Sequence, residues 1–94
     1  MQVEVEIEQT GMGGSILYRE DGNVIRFGWE FAASPTLVLV FGSPAQGWDE
    51  RYPWARGRQA EIYDAVSAGI VRQQAPGSAC KIDLEDGTIA VMQA

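Results

Sequence analysis

Residues 47–58, GWDERYPWARGR, hold two tryptophans, a tyrosine, three arginines and two carboxylates in twelve positions. Trp, Tyr and Arg dominate interaction hot spots because each joins a large contact area to a polar end. Trp48, Arg51, Tyr52, Trp54, Arg56 and Arg58 are therefore the candidate interaction surface. The same stretch also has a local reading. Pro53 suits the first position of a helix, where its missing N–H costs nothing, and one tryptophan can pack back over the end of a sheet. Arginines at a helix N-terminus oppose the dipole, while the free N–H groups there attract anions. Either Asp49, Glu50 and Glu61 neutralise them, with Arg58 and Glu61 at i, i+3, or an anionic partner does.

The remaining chemistry is sparse. The chain has no histidine, which removes Ser/His/Asp and Cys/His arrangements and the usual base near neutral pH. No catalytic residue is assigned, and an enzyme would depend on Tyr18, Tyr52, Tyr63 or a carboxylate in a helix–sheet cleft. The glycine-rich GMGGS lacks the Lys-Ser/Thr end of a phosphate loop and lies between two strands, so a hairpin turn is expected. The single cysteine, Cys80, can form no internal disulfide and no Cys/His zinc site. An inert, buried thiol is expected, with no metal and no cofactor. Glu4, Glu6 and Glu8 share one face of a strand, a row open to mimicry of phosphates or to the duty of a solvated edge.

The elements that would carry these residues follow from periodicity. Val3, Val5 and Ile7 alternate with glutamates, the period of a half-buried strand. SILYRE (15–20) and Asn23–Phe31 flank the turn signal Asp21-Gly22 and form a hairpin. Thr36–Phe41, TLVLVF, is apolar throughout, which predicts a central strand. A helix is expected from Pro53, with Ile62, Val66, Gly69, Ile70 and Gln73 on one face, ending at Ala75-Pro76-Gly77. ACKIDL and TIAVM then form a last hairpin. The expected fold is α+β: a mostly antiparallel sheet of about six strands in the order β-β-β-β-α-β-β, one long helix on one face, residues 1–94 forming a single domain.

One helix covers one face, so half of TLVLVF is left outward. Val38 and Val40 face away if Leu37, Leu39 and Phe41 face the helix, or the reverse. An exposed apolar face ringed by charge marks an association surface, so Val38 and Val40 are the candidate self-association residues and a homodimer is expected. The alternatives are that curling or loops shield that face, or that it stands in water. Thirteen carboxylates against seven cations give a net charge of −6, which opposes binding to a nucleic-acid backbone. No apolar run reaches the roughly 20 residues of a membrane span, and a cytoplasmic location is expected.

Residues 48–80, WDERYPWARGRQAEIYDAVSAGIVRQQAPGSAC, resemble a group of small uncharacterised bacterial proteins over about a third of the chain. The resemblance implies a bacterial context and no activity or ligand. The function expected is a non-enzymatic protein–protein interaction module that self-associates. The alternatives are a small-ligand or enzyme domain built on a helix–sheet cleft, and an acidic inhibitor or immunity-type protein that binds a basic partner.

Overall fold

The structure, a computed structural model, describes residues 2–93. Six strands form one antiparallel sheet: β1 Val3–Thr10, β2 Gly13–Glu20, β3 Asn23–Phe31, β4 Thr36–Phe41, β5 Ser78–Asp83 and β6 Thr88–Gln93. Their spatial order is β1-β2-β3-β4-β6-β5, so TLVLVF is central and the glutamate-bearing β1 is an edge. Between β4 and β5 lie a short helix α1 (Trp48–Arg51), a 3-10 turn (Pro53–Ala55) and the main helix α2 (Gln59–Gln73).

The helix begins later than its proline suggested. Pro53 starts only the 3-10 turn, and the chain then passes through Gly57 at φ 72°. That left-handed residue breaks the spiral, because continuous α-helix needs φ near −63°. From Gln59 onward four of the five residues of the expected face are buried, Ile62, Val66, Gly69 and Ile70, while Gln73 at its end is exposed.

Ser67 and Gly69 show how the layers meet. Cys80 on edge strand β5 places its Sγ 4.0 Å from the Ser67 carbonyl oxygen, while Gly69 faces Val5 on the opposite edge strand, β1. The two helix residues are only about 3 Å apart along the axis. Six strands laid flat put their edges about 24 Å apart, more than twice the width of a helix. The sheet therefore curls, and α2 lies in its trough. Phe27, Val40 and Ile89 form the floor beneath Ile62, Tyr63 and Val66, all of them fully buried.

Register sets the two faces. The row Phe31↔Val38↔Val91↔Cys80 and the row Trp29↔Val40↔Ile89↔Ile82 point into the trough. The outward residues of β4 are thus Leu39 and Phe41, and Val38 and Val40 lie on the helix-covered side. A register shift between Thr36 and Val38 accompanies the start of β4, and Leu37 is 37% exposed.

A Cβ on Gly69 would stand 2.8 Å from the Val5 Cβ and 2.9 Å from its Cγ1. Gly69→Ala is expected to lower stability by roughly 1 kcal/mol or more, because overpacking of this kind outweighs the ~1 kcal/mol of helix propensity that alanine gains. In a Val5→Ala background, which removes Cγ1 and Cγ2, the cost should shrink. A thermal melting midpoint that rises for Gly69→Ala alone would show that the helix does not press on β1.

Candidate functional site

The aromatic and arginine stretch is mostly absorbed by the fold. Trp48 is 2% exposed; its indole N–H donates to the Ala55 carbonyl at 2.9 Å, and its ring lies against Tyr52 and Tyr63. Tyr52 shares a 3.0 Å hydrogen bond with the Ser43 hydroxyl. Asp49 accepts from the Gly57 N–H at 2.8 Å, which ties α1 to the glycine break. Trp54 is half-buried against the core.

Arg58 takes part in an ion cluster that only the fold assembles. Glu20, at the end of β2, is a 5% exposed carboxylate. Its two oxygens accept from the Arg58 guanidinium at 2.7 and 2.8 Å, and Oε1 also accepts from the Tyr18 hydroxyl at 2.6 Å. Glu61, in the first turn of α2, binds the same guanidinium. Two parallel N–H···O bonds to one carboxylate are the strong geometry for this pair. The Arg58 and Tyr18 hydrogen bonds hold the Glu20 carboxyl down at about 2. Burial, reinforced by the bond to Glu20, pushes the Tyr18 phenol up to about 12. Arg58 is held more firmly charged by Glu20 and then by Glu61. These groups are saturated with one another, so they fasten the start of α2 to the sheet. Arg51 and Arg56 are exposed, and Arg56 reaches Asp49 only at 4.0 Å. The shallow depression of about 320 Å³ beside them is bordered by Asp49, Glu50 and Leu84 and by none of the three arginines.

The tyrosines offered as acid/base groups are equally occupied. Tyr63 donates to the carbonyls of Ser43 at 3.0 Å and Gly87 at 2.8 Å, and burial pushes its phenol up to about 12. Burial also raises the Cys80 thiol, which keeps it protonated and weakly nucleophilic at neutral pH. Among the described residues, no group of three or more His, Cys, Asp and Glu side chains is placed to hold a metal ion.

A different site lies at the opposite end of the trough. Because α2 stops at Gln73, the ends of β1, β3 and β6 and the start of β4 run on without helical cover. They enclose an apolar groove of about 320 Å³. Ile16, Trp29, Val38 and Val91 line it from the sheet; Phe31 and Leu37 stand at its side; Ile70, Gln74 and Ala75 come from the end of the helix. Trp29 is positioned by GMGGS. Gly14 stands between Gln9 and Trp29 in register. A Cβ there would run into the Glu8 carbonyl and come within 2.9 Å of the indole nitrogen. The bare backbone lets the indole cross β2 and donate to the Glu8 carbonyl at 3.0 Å. Phe31, 47% exposed, packs edge-on against it with ring centroids 5.2 Å apart.

None of the eight residues singled out from sequence except Val38 lines this groove. Trp29 and Phe31 were legible as members of one strand face, but no local signal marked the point where helical cover ends. Comparison with protein-family models, curated proteins and solved structures finds no match.

Glu20 sets an acid limit on the fold. Its folded carboxyl lies below the unfolded value, so its stabilisation is fully present above about pH 4.5 and lost as pH falls toward about 2. Glu20→Gln should cost about 2 kcal/mol at neutral pH, the scale of a hydrogen bond to a charged group, and flatten the dependence of melting temperature on pH in that window. An unchanged acid profile in the variant would remove Glu20 from the account.

Proposed function

We propose that the protein is a non-catalytic binding module that recognises an apolar ligand or apolar side chains of a partner in the groove beside Trp29 and Phe31. The observation that carries this reading is the groove itself. It is concave, reaches the core, and presents an aromatic pair whose outer member is half exposed. Ligand sites are typically apolar concavities of this kind with a few polar groups at the rim. Binding is favoured over catalysis because Glu20, Tyr18 and Tyr63 are held in structural hydrogen bonds away from the groove. The half-buried, protonated Cys80 thiol fits a reducing, cytoplasmic setting, and no helix among the described residues is long and apolar enough to cross a membrane.

The test is titration with N-phenyl-1-naphthylamine, an uncharged probe that fluoresces in apolar surroundings. Emission should rise saturably, and the Trp29 indole N–H signal should shift in NMR while that of buried Trp48 stays in place. Phe31→Ala should fold normally and bind roughly five- to tenfold more weakly, the worth of an aromatic contact. Ala75→Trp should fill the groove and abolish binding. Probe binding that leaves the Trp29 signal unmoved would sink this reading.

Self-association remains a second reading, transferred from Val38 and Val40 to the convex face. There Phe41 is 43% and Val24 45% exposed, while Leu17, in register between Glu6 and Arg26, is buried. On this reading sedimentation shows a dimer that Phe41→Glu converts to a folded monomer. A wild-type chain that stays monomeric at high micromolar concentration overturns it.

A further inference from the structure

We infer that the ligand of the groove is an amphiphile with an apolar body and a polar, non-anionic head, the head resting at the mouth beside Gln9 and Gln74. This rests on the groove reading above and names the chemistry of its occupant.

Charge distribution is the first ground. The chain carries thirteen acidic and seven basic side chains, and none of them lines the groove. An anionic head would therefore find no cation there, and desolvating an unpaired charge is strongly unfavourable. The second ground is the helix. Gln74 and Ala75 directly follow the last residue of α2, so the mouth adjoins the C-terminal pole, where the backbone dipoles sum to about half a negative charge. Arg72 in that last turn is exposed and is not among the lining side chains. The third ground is the polar part of the lining. Both polar side chains are carboxamides. Gln9 donates one of its two amide N–H groups to the Gly11 carbonyl at 3.1 Å, so each carboxamide still offers the head both an acceptor oxygen and an N–H donor. The carboxamides accommodate a polar head of either hydrogen-bonding sense, while the negative pole and the net charge of −6 disfavour a carboxylate.

The body of the ligand is set by the aromatic and branched lining. A groove of about 320 Å³ lies at the small end of ligand sites. Affinity should grow with each methylene until the chain reaches the mouth, by roughly tenfold for two methylenes.

The experiment is displacement of N-phenyl-1-naphthylamine from the full chain at pH 7 by hexan-1-ol, octan-1-ol, octylammonium and octanoate, with the Trp29 and Trp48 indole signals followed in parallel. Octan-1-ol should displace the probe roughly tenfold more tightly than hexan-1-ol. Octylammonium, drawn to the negative pole of α2, should bind more tightly than octanoate, and octanoate should bind at least tenfold more weakly than octan-1-ol. Octanoate matching octan-1-ol while the Trp29 signal moves overturns the head-group assignment and leaves the groove reading standing. If the probe binds at Trp29 but no octyl compound displaces it, the amphiphile assignment again falls alone. If the probe does not bind at Trp29, the groove reading falls and takes this inference with it.

Discussion

The grip of both sheet edges on one helix is the constraint from which the other features follow. At nearly the same level of α2, Gly69 meets Val5 of β1 and the Ser67 carbonyl meets Cys80 of β5. A six-stranded sheet meets that condition only by wrapping the helix. Wrapping buries Phe27, Val40 and Ile89 completely and turns the other face convex. Glu4 and Glu8 stand exposed on that face, and Glu6 pairs with Arg19 at 3.0 Å. Carboxylates along an edge strand oppose pairing with a further strand.

The two ends of the trough are finished by different physics. At the start of α2, Gln59 donates to the Ser43 and Leu84 carbonyls and Tyr63 to those of Ser43 and Gly87. The Glu20–Arg58 pair closes the adjoining corner. Every polar group named there has a partner, so this end is rigid and specific in register. At the far end α2 is held by a polar tie from Gln73 to the Val5 carbonyl, 2.8 Å long, and by apolar contact. A helix of 15 residues spans about 22 Å. Sheet that runs past its last turn keeps an apolar surface with nothing above it, and the groove is that surplus.

Strands, helix face and fold class were readable because each depends on local period. Val5 and Ile7 against their glutamates, or Ile25, Phe27 and Trp29 on one side of β3, need no knowledge of the rest of the chain. The face of β4 was not readable. TLVLVF is apolar on both sides, so parity carries no information, and only its pairing with Trp29 and Phe31 turns Val38 and Val40 inward. For Arg58 the sequence offered both a surface role and the pairing with Glu61 that the structure shows, but not its main partner. Glu61 is a near neighbour in sequence, whereas Glu20, which commits the guanidinium, lies 38 residues away. The start of α2 was read from Pro53, yet Gly57 in the left-handed region decides it.

The groove also shares its floor with the core. Trp29 is 9% exposed and belongs to the same packed cluster as Phe27 and Val40, so its removal would cost both folding and binding. Phe31 differs: it stands at the end of β3, opposite Val38, with its ring edge-on to Trp29 and 47% exposed. A ring kept half in water at that position contributes little to burial. Hydrophobic energy scales with the area removed from water, so the part of Phe31 that folding leaves exposed is still available to a ligand. On the proposed reading, Phe31 is thus a lining residue whose exposed area is worth more to a ligand than to the fold. This is the expected division where a site is built on the margin of a core, with rigid side chains forming its floor and a less constrained one at its wall.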